Sequence, residues 1–410
     1  MNKITIDMFP AKNGDAFLIR LDNKRNILID MGYDDTYRDY IKDKLIEIKN
    51  EKQCIDLLVI THIDEDHIEG AIEFLKENGD SNMPNIIEIK EVWYNSYRHL
   101  QFDKMKVNNI SLFENRKLEE IKLSNSGGSK KEVSEASPVS AEQGSTLAGY
   151  LYGLGYDVNR RWNSSFNYES VNLDNRNEVS LGDIKIYILS PNTKKLNRLS
   201  ELWTKKLHEI DIDFCISDEK IFDDAYEMYM KKLKQIIDID EDMDIAHDMK
   251  EFEKLVQGEI KQKRKDRSDS NGASISFILE YKEKKLLFLG DAHEDIIMEN
   301  LNEYMNLGNS LEFDVVKISH HGSIKNNFKW IEAIKSKKYL ISTNGKRHGH
   351  PNDEVIARIL QCNDNDKFFY FNYPLDTAKS LNNIKLKEKY KFSLVVGDGT
   401  SNVQIKVGDK

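Results

Sequence analysis

The 410-residue chain is poor in cysteine. Cys54, Cys215 and Cys362 are its only three; they stand far apart and form no CxxC. That excludes a zinc ribbon and a disulfide framework, and the usage fits a reducing compartment. Long apolar runs are missing too. No stretch approaches the roughly 18 residues of a membrane-spanning helix. The N-terminal MNKITIDMF carries no basic segment followed by an apolar one, so neither a membrane span nor a signal peptide is expected. The reading is a soluble, cytoplasmic protein. Positive charge is in deficit: 60 Lys and Arg against 70 Asp and Glu give a formal net charge of −10. Such a chain is ill suited to gripping duplex DNA through broad phosphate contacts. A nucleic-acid substrate is not excluded, because bound divalent ions reverse the charge locally. No internal repeat of fixed period is present.

Several short strand-like runs alternate with helical ones. Ile4 to Met8, Ala16 to Leu21 and Asn26 to Asp30 are separated by turn residues at Asn13-Gly14-Asp15 and Asp22-Asn23. Ile55 to Ile60 (IDLLVI) is continuously apolar, as a buried strand is. From Ile68 to Lys76 the apolar residues recur at helical spacing. The polar stretch Thr61 to His67 therefore lies between a strand end and a helix start, where α/β sheets bind ligands. Further strands are predicted at Ile184 to Leu189, Ala273 to Tyr281, Lys285 to Leu289, Val315 to Ser319 and Tyr339 to Thr343, with a helix over Leu147 to Leu154. Residues 124–144, rich in Ser, Gly, Lys and Glu, predict a mobile loop. Residues 196–267 are highly charged and helical in pattern, with an acidic stretch at Asp238 to Asp244 and a basic end at Lys261 to Arg267. They predict a helical insertion within a single domain spanning 1–410.

Six of the ten histidines fall in three short stretches, His62/His67, His320/His321 and His348/His350, each after a strand-like run. Scattered core or surface histidines would not cluster in this way. Thr61-His62-Ile63-Asp64-Glu65-Asp66-His67 places two nitrogen and two carboxylate donors within six residues. In an extended turn the side chains at 62, 64 and 66 face one side, and 67 joins them as the helix begins. Such mixed donor sets suit zinc, manganese or iron. The plainer alternative is an acidic helix start, in which Asp64 and Asp66 only complement the helix dipole; the interleaved histidines favour the metal. Asp291 closes the apolar strand KLLFLGD. A lone Asp there is ordinarily a turn residue, but a two-metal hydrolase needs a carboxylate that bridges both ions. Of His320 and His321, beside Gly322, at least one is expected to face substrate or donate a proton; the plainer alternative is one structural histidine bonded to the backbone beside one exposed. In His348-Gly349-His350-Pro351, His350 is expected as a ligand and His348 as a bystander. His293, two residues after Asp291, reads as an exposed helix start, with a supporting place behind the metal ligands the alternative. The run Lys261 to Arg267 reads as a solvated helix end, with phosphate contact the alternative. Trp162 and Trp203 read as packing.

Taken in order, these motifs resemble the metallo-β-lactamase superfamily: Asn13-Gly14-Asp15-Ala16, Ile27 to Gly32, Thr61 to His67, Leu286 to Asp291, His320-His321-Gly322-Ser323 and Gly349-His350-Pro351. The branch they most resemble is the hydrolase domain of the ComEC DNA-uptake proteins, which Asn271 and Ser274 also suggest. The resemblance implies an α/β fold, a four-layer αβ/βα sandwich of two mixed sheets with a two-metal site along one edge. It implies His62 and Asp64 on one ion, Asp66, His67 and His350 on the other, and Asp291 between them. It implies Zn²⁺ or Mn²⁺ as cofactor. Ser190 stands where the family supplies a further histidine, so the first ion is expected to be weakly held, completed by water, or absent.

The activity implied is metal-dependent hydrolysis of a phosphodiester in nucleic acid or a nucleotide, with Asp66, His320 and His321 serving the reaction. Two other readings stand beside it. One is hydrolysis of a lactone or amide. The other is an effector or metal-bound scaffold switched on by a protein partner through the helical insertion, as in bacterial defence. No membrane partner is expected.

Overall fold

The computed structural model describes residues 4–100, 110–125, 146–162, 169–210, 220–239, 249–262, 264–362 and 366–408. Most of the predicted loop 124–144 and much of the acidic stretch Asp238 to Asp244 lie outside the described residues.

Sixteen strands form among the described residues. One six-stranded sheet contains β1 (Ile4–Met8), β2 (Ala16–Leu21), β3 (Asn26–Met31), β4 (Leu57–Val59), β5 (Val92–Trp93) and β16 (Val403–Val407), in the order β16-β1-β2-β3-β4-β5. An eight-stranded sheet contains β6 (Glu178–Leu181), β7 (Ile184–Ser190), β8 (Ser276–Tyr281), β9 (Lys284–Phe288), β11 (Val315–Lys317), β13 (Lys338–Ile341), β14 (Lys367–Phe371) and β15 (Phe392–Val396). Its order is β15-β14-β13-β11-β9-β8-β7-β6. A two-residue parallel pair, β10 (Glu312–Phe313) with β12 (Lys335–Ser336), sits apart. Both sheets are mixed: β1 to β3 are antiparallel neighbours while β3, β4 and β5 run parallel. In the larger sheet β6 to β9 are antiparallel and β9, β11, β13, β14 and β15 parallel.

The period-two alternation of apolar residues decides the layering. Phe17, Ile19, Ile27 and Ile29 of the first sheet face Phe277, Leu279, Leu286 and Phe288 of the second in one buried cluster, edge-on at Phe17–Phe288 (5.7 Å between centroids). The other faces of both sheets carry helices. Leu18, Leu28 and Leu58 pack with Leu45, Phe74, Leu151, Trp203 and Tyr226 of the helices outside the first sheet. Ile278, Leu287 and Val316 pack with Ile297, Leu301 and Ile356 outside the second. The result is the four-layer αβ/βα sandwich expected from the motifs. Each fully buried Leu or Phe in these layers contributes about 1.5–3 kcal/mol relative to an exposed one.

The charged region between β7 and β8 forms the helices Thr193–Ile210, Lys220–Ile239 and Met249–Gln257. They are amphipathic and partly cored: Trp203, Phe222 and Tyr226 join the first helical layer, and Phe252 the second. The parallel strands β4, β9, β11 and β13 all end toward one edge, and the His- and Asp-bearing turns follow those ends. Among the described residues no helix is long and apolar enough to cross a membrane.

Candidate metal centre

Five loops meet at this edge, those following β1, β4, β9, β11 and β13, and glycine permits two of the close approaches. A Cβ on Gly14 would lie 1.8 Å from the carbonyl oxygen of Asp66, so only glycine lets the Asn13-Gly14-Asp15 turn seat against the His62–His67 loop. Gly322 has φ +94°, and a Cβ there would meet Pro351 at 2.5 Å, which ties the His320-His321 turn to the His350 loop. His320 and His321 hold positive φ values of 43° and 53°. Bulky residues rarely adopt that conformation, and it clusters at functional sites.

Three imidazoles are fixed with Nδ1 turned outward and Nε2 turned in. His67 Nδ1 donates to Asp30 Oδ2 at 2.8 Å. Thr61 donates its hydroxyl to the same oxygen at 2.8 Å and its N–H to Asp30 Oδ1 at 2.7 Å. The Thr61 hydroxyl, already spent as a donor, accepts from His62 Nδ1 at 3.0 Å. His321 Nδ1 donates to the carbonyl of Ser342 at 2.9 Å. Each Nε2 therefore points its lone pair into the pocket in the neutral ring. All three Nε2 atoms are buried without a hydrogen-bond partner.

Asp291 is the hub. Its Oδ2 lies 3.8 Å from His62 Nε2, 3.7 Å from His67 Nε2, 3.5 Å from His321 Nε2 and 3.9 Å from His320 Nε2. Asp64 Oδ2 lies 3.4 Å from His62 Nε2. Asp66 is held by Asn13 Nδ2 at 2.8 Å and stands 3.7 Å from His321 Nε2 and 4.0 Å from His67 Nε2. Ligand atoms of His62, His67 and Asp291 lie within 4.8 Å of one another, as do those of Asp66, His67 and His321 and those of Asp15, Asp291 and His321.

The charge balance favours cations. Asp15, Asp30, Asp64, Asp66 and Asp291 are all buried. When ionised they face one buried ammonium, Lys317, which pairs with Asp15 and lies 3.7 Å from Asp291 Oδ1. The remaining negative charge can be offset by protons on the imidazoles or, once those are displaced, by two divalent ions. Burial works against ionisation of Asp291, but the imidazoles of His321, His320 and His67 outweigh it and hold the carboxyl well below its ordinary range. Burial is likewise overcome at Asp15, where Lys317 and then His321 bring it down to about 2. Burial would lower the His67 pKa, yet Asp30, Asp291 and Asp66 raise it well above the ordinary value. His321 rises to about 9 against burial, through Asp291 and Asp15. A cation would displace these protons from the ring nitrogens. The converging bare Nε2 atoms and the carboxylate excess fit a divalent metal site.

The expected residues fall unevenly around this centre. His62, Asp66, His67, Asp291 and His321 come together, with Asp64 beside His62 and His320 behind Asp291. His350 belongs to none of the close three-donor groups; its ring stands 5.5 Å from that of His320. It is buried with both ring nitrogens lacking hydrogen bonds, and burial, reinforced by His320 and His348, holds its pKa well below the ordinary value. It is thus neutral, the form that binds metal. Ser190 ends β7, buried, its Oγ without a hydrogen-bond partner.

His293 corrects an expectation. It does precede the helix Glu294–Asn306, but it is buried rather than exposed, with Nδ1 2.9 Å from Lys195 Nζ and Nε2 3.8 Å from Asp266 Oδ1. Three residues have a place here that the motifs alone do not assign: Asp15, Asp30 and Lys317. Asp15 and Asp30 lie inside motifs already noted. Lys317 has its own signal, a single charge within the apolar strand Val315 to Ser319.

Residues 10–126 match the family described as Metallo-beta-lactamase superfamily. No curated protein matches the chain. Among solved structures, the metallo-beta-lactamase fold protein YhfI from Bacillus subtilis aligns over 99% of this chain and 100% of its own, at 7% identity and a TM-score of 0.37. A point mutant of the CmlA beta-hydroxylase aligns over 99% of this chain and 54% of its own, at 11% identity and a TM-score of 0.34.

Proposed function

We propose that the protein is a metal-dependent phosphodiesterase acting on nucleic acid or a nucleotide. The observation that carries this reading is the buried pocket in which His62, His67 and His321 aim unpartnered Nε2 atoms at Asp291. The match of residues 10–126 to a metallohydrolase superfamily supports the general class. The choice of phosphodiester rests on the carboxylate-rich donor set, which suits hard cations and phosphate oxygens, and on the resemblance to the ComEC hydrolase domain.

In the proposed arrangement His62 and Asp64 would hold one ion and Asp66 and His67 the second, with Asp291 near both sets. His321, whose Nε2 groups with donors of Asp66 and His67, would add to the second set, and neutral His350 stands one ring behind His320. When bound, such ions lower the pKa of water toward neutrality and offset charge on the phosphoryl oxygens. The chain's own residues do the rest. Asp30 and Thr61 lock the orientation of His67 and His62. Asn13, steadied by the Tyr33 hydroxyl at 3.0 Å, fixes Asp66. His320, whose Nδ1 donates to Asn326 Oδ1 at 3.1 Å, presents Nε2 beside Asp291, and in its doubly protonated form it would supply a proton to the leaving oxygen.

The test is turnover of bis(p-nitrophenyl) phosphate and of single- and double-stranded nucleic acid by purified protein with Mn²⁺ or Zn²⁺. Hydrolysis that disappears in Asp64→Ala and Asp291→Ala is expected. Full activity in those variants, or none in the parent protein, overturns the proposal. A lactone and amide panel run alongside identifies the other hydrolase class, and substoichiometric metal without turnover identifies a scaffold.

A further inference from the structure

We propose that a basic cleft beside the metal centre is an anion subsite that holds a second phosphate of the substrate. This deepens, and rests on, the reading of the centre as a phosphodiester hydrolase. The cleft has a volume of about 340 Å³ and draws five cations to its walls, Lys195, Arg198, Lys265, Arg267 and Lys325. Lys195 and Arg198 come from the start of the helix Thr193–Ile210, and Lys265 and Arg267 from the segment that returns the chain to β8. The two ends of the helical insertion thus meet at this cleft, and the basic run Lys261 to Arg267 supplies one of them.

The three acids lining the cleft are already engaged by protein donors. Asp295 accepts from Lys195 at 2.9 Å. Glu294 accepts from the backbone N–H groups of Phe328 and Lys329, the first at 2.7 Å. Asp266 accepts from Asn271 at 2.8 Å and from Asn326 at 2.9 Å. Among the described residues, no carboxylate lies within ion-pair distance of Arg198, Lys265 or Arg267, whose side chains are exposed. Their charge is left for a ligand. His293 also lines the cleft, and its Nε2 is buried without a hydrogen-bond partner. Two guanidinium forks and an ammonium suit the several oxygens of a phosphate better than a single carboxylate.

The cleft adjoins the chemistry. Asp266 Oδ2 lies 3.6 Å from His320 Nδ1, and His320 Nε2 lies 3.9 Å from Asp291 Oδ2. One side chain therefore separates the two sites. A substrate with phosphates on neighbouring positions of one nucleotide or strand reaches both. A cyclic mononucleotide, with one phosphate, does not.

Two p-nitrophenyl esters of thymidine 5′-phosphate, with and without a 3′-phosphate, test this. The parent protein is expected to favour the 3′-phosphorylated ester by about tenfold in kcat/KM, equivalent to about 1.4 kcal/mol. Lys265→Ala/Arg267→Ala, and separately Arg198→Ala, are expected to remove that preference. Inorganic phosphate is titrated calorimetrically into the chelator-treated full chain as an activity-independent readout. Binding that is weakened about tenfold in the double variant and retained in Asp291→Ala is expected. Phosphate binding without hydrolysis of either ester would overturn the hydrolase reading and leave the subsite standing. Hydrolysis with no preference, or phosphate binding equal in parent and double variant, overturns the subsite alone.

Discussion

Two regions of this molecule bury clusters of carboxylates, and they solve the electrostatic problem in opposite ways. Along the helix Lys220–Ile239, Asp223, Asp224 and Glu227 are buried, and protein donors meet each one. The Arg98 guanidinium holds Asp223, with Nε at 3.0 Å. Thr146 donates to Asp224 at 2.5 Å. Glu227 accepts from the N–H groups of Leu147 at 2.8 Å and Ala148 at 2.9 Å, and from the Tyr94 hydroxyl at 3.0 Å. At the sheet edge, Asp291 and its neighbours converge on the Nε2 atoms of His62, His67 and His321, which have no hydrogen-bond partner. Burial of a carboxylate is therefore not a sign of function by itself. The sign is a pocket in which donors to metal outnumber donors of hydrogen bonds.

Substitutions can break or sharpen that contrast. The largest effect is expected for Asp291→Ala, which removes the hub: elemental analysis should show loss of bound metal, and phosphodiester turnover should fall to background. Metal content equal to the parent's would end the distinction between the regions. Next is Asp223→Ala, which leaves the Arg98 charge buried without its partner. It should cost about 3–5 kcal/mol in urea unfolding, with metal stoichiometry unchanged in the folded protein. Asp30→Asn should weaken metal binding by about 10–100-fold, because the carboxylate that orients His67 is gone; competition with a fluorescent chelator reads this.

Glu227 gives the pH arm. Burial dominates over its three donors and pushes its pKa from an ordinary 4.5 up to about 8. The folded state then keeps a proton that the unfolded state releases. Stability should fall as pH rises between about 5 and 8, by up to about 1.4 kcal/mol per pH unit from this group. Glu227→Gln should flatten that slope in thermal melts taken across the window; an unchanged slope would show that the carboxyl is ionised throughout. The smallest effect separates the regions most sharply. Asp66→Asn should stabilise the metal-free protein, by about 0.5–2 kcal/mol, while weakening its metal binding. A loss of thermal stability in the chelated variant would place Asp66 with the structural carboxylates instead.

Much of the architecture is legible because strand and helix periods are local. The runs Ile4 to Met8, Ala16 to Leu21 and Ile184 to Leu189 form strands within a residue of their expected bounds. The helix expected from Ile68 starts earlier, running Glu65–Asn78 with Asp64 as its N-cap, so Asp66 and His67 lie in its first turn rather than in an extended stretch. The later strands β14, β15 and β16 escape such a reading, although β16 pairs with β1 across nearly the whole chain. Such pairing leaves no mark in a local window. At the site, the histidine clusters announce themselves by spacing. Asp30 does not, because its part is to hold the far nitrogen of His67, 37 positions away. His293 departs from expectation because a residue preceding a helix is exposed only if nothing packs over it, and here Lys195 does.

The sequence by itself determined which residues offer metal donors and that they follow strand ends, since both are properties of short segments. Only the tertiary structure decided that Asp15, Lys317 and His321 share one pocket with Asp291 while His350 stands a ring further out. It alone brought the two ends of the charged insertion together at the basic cleft. Distances between segments are set by how sheets and loops pack, through contacts hundreds of residues apart, and those contacts are not written in any local pattern.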